Sequence, residues 1–384
     1  MKINLDDNGL HLRFAPLTLT RPVGNLRMGI LTNDERWKMF LPDAQIGFMT
    51  EKYLSKKFSS VENGIRVNSA VIPNEDFVAA VMHLEKNTAL YLNEMFLAEN
   101  GVASAKIQFK GDVPMIIENR WDLYQKNDLV LKADFDLITA GRKSQKISKS
   151  NTIIGSSDLI FLEVGAKVEA SILNTSTGPI YIGKDAEIME GSIVRGPLAM
   201  CEHSALKLGT KIYGATTLGP HCKVGGEVNN SIFQAYSNKG HEGFVGNSLI
   251  GEWCNLGADT NTSNLKNNYG NVSTYSYESE KEEKTNVQFM GLTMGDHSKC
   301  GINTMFNTAT VVGVSCNIYG ADFPPKFIHS FSWGGSAGFV PFKLDKAIEY
   351  ANNMTERRGL KLTEEELDIL NYLNIRNSNF KTKN

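Results

Sequence analysis

Residues that could perform acid–base chemistry cluster in one stretch, Ser237–Leu265, with the sequence SNKGHEGFVGNSLIGEWCNLGADTNTSNL. Its histidine, His241, is a candidate general base, because an imidazole titrates near neutral pH and can take a proton from an attacking amine. Lys239 could supply a cation to a phosphate group, although an ordinary solvated lysine fits the sequence equally well. The amide side chains of Asn247 and Asn264 are candidate substrate ligands.

A six-residue period surrounds this stretch. The positions are Val164, Ala170, Ser176, Ile182, Ile188, Val194, Met200, Leu206, Ile212, Leu218 and Val224, then Phe244, Ile250 and Leu256, then Met294, Cys300, Phe306, Val312 and Ile318. Ser176 is the only polar residue among them. A period of six fits neither the 3.6 residues of a helical turn nor the simple alternation of a strand. It predicts a parallel β-solenoid, in which three hexads form one triangular coil and the six-spaced side chains fill the prism.

The elements around the repeats predict three regions. Residues 1–145 mix strand-like runs with helix-like stretches at 76–82 and 93–100, which is typical of a compact α/β domain. The solenoid is expected over 150–340, with a polar insert at 261–286 that leaves one corner of the prism. Two amphipathic segments predict a C-terminal helical cap over 341–384, with a capping signature that begins at Thr363.

Composition excludes several function classes. The net charge of −2 provides no overall field for nucleic acid or for an anionic membrane. No run of 18 apolar residues predicts a spanning helix. The five cysteines are dispersed and odd in number, which favours reduced thiols in a cytoplasmic protein over disulfides or a zinc cage. The start of the chain lacks the basic and apolar segments of a signal peptide.

The segment Phe14–Pro42 resembles the start of a family of sugar nucleotidyltransferases. The matching residues are Pro16–Val23, Gly29–Thr32 and Glu35–Trp37. A later segment, Asn119–Asn127, resembles the one that leads into β-helices in such two-domain proteins. The resemblance implies a nucleotidyltransferase-like domain over residues 1–145.

Nucleotidyl transfer needs a glycine-rich cradle for the triphosphate, a cation at the leaving phosphate and carboxylates for Mg²⁺. The Gly-x-Gly-Thr-Arg string of the family does not occur in residues 1–60. Arg21 and Arg27 are the candidate nucleotide-binding cations. No metal ligands are assigned, since the candidates Asp112 and Asp122 lie in no motif, and Mg²⁺ is expected only if this domain is active. We therefore expect a short, degenerate domain that binds a ligand or organises the oligomer.

The stretch around His241 resembles the acetyltransferase domain of the bifunctional N-acetylglucosamine-1-phosphate uridyltransferase/glucosamine-1-phosphate acetyltransferases and of related archaeal sugar-1-phosphate nucleotidylyltransferases. The resemblance extends to residues 291–320. It implies the left-handed β-helix of hexapeptide-repeat acyltransferases, with His241 as general base and Asn264 as a sugar ligand. Phe244 stands where the family has tyrosine and Asn247 where it has aspartate, and both are candidate substrate-binding residues. Asp259 replaces a glycine of the family, and these changes have either retuned the site or inactivated it.

These inferences predict a mixed fold: an α/β nucleotidyltransferase-like domain, a left-handed parallel β-helix and C-terminal helices. The expected function is acetyl-CoA-dependent acyl transfer to a sugar phosphate or nucleotide sugar, with acetyl-CoA as co-substrate. One alternative is nucleotidyl transfer from a nucleoside triphosphate to a sugar 1-phosphate by the N-terminal domain. Another is a non-catalytic scaffold that binds a nucleotide sugar. The resemblance also implies a homotrimer, and neither nucleic acid nor membrane is expected as a partner.

Overall fold

The computed structural model describes residues 1–381 of the chain. It contains an N-terminal α/β region, a parallel β-solenoid and two C-terminal helices, in that order. The predicted fold class is therefore confirmed. No helix within residues 1–381 has both the length and the apolar character needed to cross a membrane.

A mixed six-stranded sheet organises the N-terminal region. In spatial order its strands are Gln45–Met49, Lys2–Asp6, Ile65–Asn68, Met95–Asn100, Thr88–Leu92 and Ala105–Gln108. Two short antiparallel pairs join Arg27–Met28 to Leu31–Thr32 and Val71–Ile72 to Met115–Ile116. The helices are α1 (Asn33–Phe40), α2 (Glu75–Met82), α3 (Asp122–Gln125) and α4 (Asn127–Thr139). Trp37 and Phe77 meet edge to face at 5.7 Å in the core, which packs α1 against α2.

The prediction of a helix-like stretch over 93–100 is wrong. Met95–Asn100 is a strand that pairs antiparallel with Thr88–Leu92. Asn93 lies between the two strands with a φ of 55°, a left-handed conformation that asparagine tolerates in tight turns. The chain therefore reverses at Asn93 instead of continuing as a helix. The other predicted helical stretch, 76–82, is confirmed by α2.

Three sheets form the sides of the solenoid. The first face comprises Thr152–Ile154, Ile172–Asn174, Ile193–Arg195, Lys211–Tyr213, Glu227–Asn229 and Phe244–Gly246, followed by the pair Asn261–Thr262 and Met305–Phe306. The second face comprises Ile160–Leu162, Ile180–Ile182, Leu198–Met200, Thr216–Leu218, Ile232–Phe233, Leu249–Ile250, Thr293–Met294, Val311–Val312 and Phe327–Ile328. The third face comprises Lys167–Val168, Glu187–Ile188, Ala205–Leu206, Lys223–Val224, Asn238–Lys239, Asn255–Leu256, Lys299–Cys300, Asn317–Ile318 and Ser332–Gly335, with Gly338–Pro341 antiparallel at its end. Because each strand pairs with the equivalent strand of the next coil, the coils stack in register and share one core.

The six-residue step correctly identifies the core from Ile182 to Val224, where every predicted position is buried inside the prism. Before Ile182 the predicted register is wrong. Val164 is 65% exposed, and Ala170 lies at a corner with a φ of 45°. The inward residues there are Leu162 and Val168. A longer corner precedes the strand Ile180–Ile182, so counting backward in sixes leads from core positions onto corner positions.

The N-terminal region packs along the outside of the second face. Leu131 and Phe135 of α4 form an apolar cluster with Phe161 and Tyr181, which point outward from that face. This contact explains why the second-face strands Ile160–Leu162, Ile180–Ile182 and Leu198–Met200 are buried on both sides and carry no charged or hydroxyl-bearing aliphatic residue. Because this contact is with the second face, the third face of the solenoid forms a surface of its own.

The insert is longer than the predicted 261–286. Asn261–Thr262 still pairs within the solenoid, and the chain returns to it at Thr293–Met294. Between them a hairpin joins Ser273–Ser276 to Lys281–Lys284. Arg120, near the end of the N-terminal region, donates to the hydroxyl of Thr274 (2.8 Å) and to the carbonyl of Tyr275 (2.6 Å). The insert is thus attached to the N-terminal region of its own chain.

Both predicted C-terminal helices are present as α5 (Leu344–Glu356) and α6 (Glu364–Lys381). The predicted capping signature is a reciprocal pair: the Glu366 amide donates to Thr363 Oγ1, and the Thr363 amide donates to Glu366 Oε2. Buried residues of both helices share an apolar cluster with Leu54 of the N-terminal region and Phe331 of the last coil. The helices therefore cover a flank of the solenoid, and the end of α5 reaches the third face.

Candidate active site

His241 stands on a corner of the solenoid. The four residues Gly240–Gly243 join the third-face strand Asn238–Lys239 to the first-face strand Phe244–Gly246. The His241 side chain is exposed at this corner. Gly243 has a φ of 112°, and a Cβ there would lie 2.2 Å from the carbonyl oxygen of Thr260 in the next coil. Only glycine fits this conformation and this contact, so the backbone path beside His241 requires glycine at position 243.

A cavity of about 690 Å³ lies on the third-face side of His241. We call it the basic groove, because its charged lining residues are Lys207, Lys223, Lys299, Arg357 and Arg358. The two arginines follow α5, so the helical cap completes a wall that the solenoid begins. No carboxylate is among the residues of the described chain that line the groove. The groove therefore carries uncompensated positive charge.

The pKa shift of Lys223 agrees with this charge excess, whereas that of Lys299 comes from burial. Partial burial lowers the pKa of Lys223, and the neighbouring positive charges of Arg358 and Lys207 lower it further. Burial also lowers the pKa of Lys299 to about 8, and its Nζ donates to the carbonyl of His297 at 3.0 Å. Cations that repel one another at a surface favour binding of a multiply charged anion, because the anion relieves that repulsion.

One wall of the basic groove is aromatic. Tyr236 and Trp253 stack with ring centroids 4.2 Å apart, and His221 stacks on the other side of Tyr236 at 4.8 Å. All three residues occupy equivalent corners of successive coils and have φ values between 53° and 59°. The repeat of one left-handed corner conformation therefore aligns the three rings into a column, of which Tyr236 and Trp253 line the groove.

A second cavity, of about 470 Å³, touches the same corner. Its lining includes His241, Lys207 and the carboxylates of Glu242 and Asp259. The imidazole thus lies between a wholly cationic groove and a cavity of mixed charge. That arrangement can hold an anionic ligand on one side and a cationic or neutral one on the other.

Lys239 is placed inside the prism, not in the basic groove. Its side chain is 0% exposed and pairs in the third-face ladder with Val224, a core residue. Its Nζ donates to the carbonyl oxygens of His241 at 2.6 Å and Glu242 at 2.8 Å. The expectation that Lys239 supplies a cation to a phosphate is corrected, because the ammonium faces backbone carbonyls in the core.

The other three predicted site residues come together at the far end of the first-face strand that follows this corner, where the chain turns toward the second face. Asn264 donates from Nδ2 to Oδ1 of Asn247 at 2.7 Å. The ring of Phe244 lies over Gly246, whose absent Cβ would be 2.5 Å from Phe244 Cζ and 2.7 Å from Asn264 Nδ2. Phe244 does not occupy the inward position that the six-residue step predicts. Its neighbour Val245 fills the core instead.

The two N-terminal arginines are used within the fold. Arg21 is 6% exposed and forms ion pairs with Glu252 and Asp296 of the solenoid. Arg27 is 7% exposed and pairs with Glu35 at 3.0 Å. Their guanidinium groups are neutralised and covered by protein, which corrects the expectation that they face a nucleotide.

The candidate metal ligands of the N-terminal region are also separate. Asp122 Oδ2 accepts from the amides of Glu118 and Asn119 at the start of α3. Asp112 is exposed and its amide donates to Asp76. Residues 1–381 contain no group of three or more histidine, cysteine, aspartate or glutamate side chains arranged to hold a metal ion. These residues do not fit a Mg²⁺ site.

The cations of the basic groove were not among the sequence candidates. Three of them come from third-face strands or their corners, and the other two are the adjacent Arg357 and Arg358. The adjacent arginines at the end of an amphipathic segment were the one feature of the sequence that could have indicated a cationic site. Its position against the third face depends on docking of α5, which no local pattern encodes.

The N-terminal region matches a family model, and parts of the chain are similar to known proteins. The model of the family described as sugar nucleotidyl transferase matches residues 3–143. The Bifunctional protein GlmU of Methanocaldococcus jannaschii is 37% identical over 90 residues, which is 23% of this chain and 21% of that protein. The Bifunctional sugar-1-phosphate nucleotidylyltransferase/acetyltransferase of Sulfurisphaera tokodaii is 28% identical over 173 residues, 42% of this chain and 40% of that protein. The chain thus spans less than half the length of these relatives.

Solved structures give more distant likenesses. The polysialic acid O-acetyltransferase OatWY has 13% identity and a TM-score of 0.26, with 50% of this chain and 85% of that chain covered. The Arabidopsis UDP-N-acetylglucosamine acyltransferase has 16% identity and a TM-score of 0.19, with 56% and 76% covered. The solenoid assignment therefore rests on the strands of this chain itself. The N-terminal region matches the sugar nucleotidyl transferase family over residues 3–143, and the resemblance inferred from Phe14–Pro42 is confirmed.

Proposed function

We propose that this chain is a sugar-directed acyltransferase that uses acetyl-CoA. Its acceptor is an amino group on a sugar phosphate or nucleotide sugar, and His241 is the general base. The observation that carries the proposal is the position of His241 at the mouth of a 690 Å³ groove whose charged lining is entirely cationic within the described residues. The identity to the Sulfurisphaera nucleotidylyltransferase/acetyltransferase supports the same class of reaction.

The donor fits the basic groove. Coenzyme A carries several phosphate charges, which the five cations match, and an adenine ring, which the edges of the stacked Tyr236 and Trp253 rings can contact. The acceptor fits the second cavity, where Glu242 and Asp259 attract an ammonium group before it loses its proton. Asn264 and Asn247 lie outside the lining of this cavity, at the other end of the adjacent first-face strand, and we propose that their amides hydrogen-bond the sugar hydroxyls.

The reaction then needs few groups. The His241 imidazole accepts a proton from the acceptor amine as the nitrogen attacks the thioester carbonyl. The new C–N bond forms, the C–S bond breaks, and the coenzyme A thiolate leaves and takes up a proton. Backbone N–H groups at the solenoid corners are available to stabilise the oxyanion. General base catalysis of this kind contributes about 10²–10⁴-fold to the rate.

The direct experiment measures thiol release from acetyl-CoA by the purified chain against a panel of amino-sugar phosphates and nucleotide sugars. We expect turnover with at least one amine acceptor, and none with the matching N-acetylated compounds. Binding of the panel without any thiol release would instead support a non-catalytic scaffold that binds a nucleotide sugar.

Nucleotidyl transfer remains a second candidate because the family model covers residues 3–143. Its test is Mg²⁺-dependent pyrophosphate release from a nucleoside triphosphate and a sugar 1-phosphate by the full chain. The buried, ion-paired Arg21 and Arg27 favour acyl transfer as the main activity. The homotrimer expected from the resemblance stays a prediction, which sedimentation equilibrium can test.

A further inference from the structure

The corners between the third and first faces share one local design. Where such a corner has four residues, its last residue is typically serine or threonine, and the hydroxyl donates to the carbonyl of the first residue. These bonds are Ser192 to Met189 (2.8 Å), Thr210 to Lys207 (2.6 Å), Thr260 to Gly257 (2.7 Å) and Thr304 to Gly301 (2.9 Å). Each hydroxyl closes its turn from within and fixes the residues at the tip.

The corner that carries His241 departs from this design. Its sequence is Gly240-His241-Glu242-Gly243, so no hydroxyl stands at the fourth position. The left-handed residue also moves: it is the third residue in the other corners, as at Gly209 and Asp259, but the fourth here, Gly243. The backbone therefore follows a different path. The hydrogen bond from a hydroxyl to a carbonyl that closes the other corners is missing at the corner that positions the His241 side chain.

Lys239 supplies donors at this corner instead. From the inward side of the third-face strand, its Nζ donates to the carbonyls of His241 and Glu242 at 2.6 and 2.8 Å. These bonds are charge-assisted, and such bonds are stronger than those of a neutral hydroxyl. A cationic group in the prism core is unfavourable by itself, since the neighbouring inward positions are the aliphatic Val224 and Leu256. A lysine at this position is therefore best explained by the carbonyls that it binds.

We propose that Lys239 is the positioning residue of the His241 corner. It holds two carbonyls of the turn from inside the prism, fixes where the imidazole stands, and touches no substrate. This inference rests on the proposed role of His241 as general base. It predicts that loss of the Lys239 amine loosens the corner and slows the proton transfer, while the binding of acetyl-CoA in the basic groove is preserved.

The test compares Lys239→Met, which keeps the length and removes the donors, with Thr310→Val. Thr310 closes a corner of the same type on another edge of the prism through a 2.7 Å bond to the Asn307 carbonyl. Both variants of the full chain are examined by amide hydrogen exchange of residues 240–243 and by NMR of labelled histidine rings, with His241→Asn assigning the resonance. We expect Lys239→Met to speed exchange at the corner about tenfold or more and to shift or broaden the His241 resonance, and Thr310→Val to do neither.

Kinetics adds a separate readout. With an active acceptor, Lys239→Met should lower kcat about ten- to hundredfold and leave KM for acetyl-CoA within about twofold, which is the pattern of a lost transition-state interaction. An unchanged resonance and unchanged exchange in Lys239→Met would overturn the proposal. If the wild type transfers no acetyl group, the exchange and resonance data still decide the role of Lys239. If Lys239→Met does not fold, Lys239→Leu, with the residue type found at the equivalent inward position Leu256, is measured in the same way, and wild-type exchange at its corner would overturn the proposal.

Discussion

Asn264 donates a side-chain N–H to Oδ1 of Asn247 across 2.7 Å, which joins the start of the insert to the coil that carries His241. The carbonyl of Asn264 also accepts from the amide of Met290, at the end of the same insert, at 2.9 Å. Residues near the two ends of the insert therefore meet beside Asn247, at the corner between the first and second faces. This arrangement makes the amide of Asn264 a fixed group, as a substrate ligand must be.

Removal of the partner amide should weaken acceptor binding. In Asn247→Ala, Asn264 loses its hydrogen bond, and one such bond contributes about 0.5–1.5 kcal/mol. We expect KM for the acceptor to rise about three- to tenfold and KM for acetyl-CoA to stay constant. The control is Asn174→Ala, a residue on the same face several coils away. Equal acceptor KM values in wild type and Asn247→Ala would show that Asn264 needs no orientation.

The basic groove should bind the donor through its charge. Arg357→Gln removes one exposed cation from the groove, and we expect the Kd for coenzyme A, measured by calorimetry, to rise about three- to tenfold at low salt. The difference between variant and wild type should shrink as ionic strength increases. Lys361→Gln makes the same charge change on a nearby exposed residue outside the groove and serves as control. An equal loss of affinity in both variants would indicate a general field and not a site.

Arg21 should act as a structural link between the N-terminal region and the solenoid. Arg21→Met leaves the buried carboxylate of Asp296 and the partly exposed carboxylate of Glu252 without their cation. Because removing one member of a buried pair is destabilising by about 3–5 kcal/mol, we expect a loss of that size from the Asp296 pair. Arg13→Gln, which breaks an exposed pair with Glu278, should change stability by less than about 1 kcal/mol. Urea denaturation measures both. A stable Arg21→Met that has lost nucleoside triphosphate binding would restore the nucleotide-binding role.

The buried amine of Lys239 predicts a specific pH dependence of stability. Burial lowers its pKa to about 8, below the value near 10.4 of lysine in an unfolded chain. Between these two pKa values the unfolded chain binds more protons than the folded chain, so this residue makes the free energy of unfolding rise with pH. The destabilisation that comes from burying the protonated amine is fully present below pH 8. From pH 7 to pH 10 the wild type should therefore gain stability relative to Lys239→Met in urea titrations. The control Lys86→Met, at an exposed lysine, should show the same pH dependence of the free energy of unfolding as the wild type. A difference in unfolding free energy between wild type and Lys239→Met that stays constant from pH 7 to pH 10 would contradict the lowered pKa.

The sequence was sufficient for the architecture because the six-residue period reports a local repeat. Positions such as Ile188 and Leu206 were correctly assigned to the core, since each hexad repeats the same strand and corner. The register failed at Val164, where a longer corner shifts the count. It failed again at Phe244, because the inward residue of that strand, Val245, lies five and not six residues before the core residue Ile250.

The site was predicted only in part. His241, Asn247 and Asn264 were found from a short motif, and the structure places the two asparagines in contact. The sequence could not show that Lys239 points inward, because a lysine on a two-residue strand fits either side until its neighbours in the stacked coils are known. The groove cations could not be found for a similar reason. Their proximity depends on how α5 docks against residues more than a hundred positions earlier.

The most direct test of the account is the acetyl-transfer rate of His241→Asn. Asparagine keeps a polar side chain and removes the base. We expect kcat to fall about 10²–10⁴-fold, with KM for acetyl-CoA nearly unchanged. We also expect the pH profile to lose the fall in rate at low pH that protonation of the base causes in the wild type. The matched variant His83→Asn, at an exposed histidine at the end of α2, should retain wild-type rates. A His241→Asn enzyme that transfers acetyl groups at the wild-type rate would contradict the assignment of His241 as the general base.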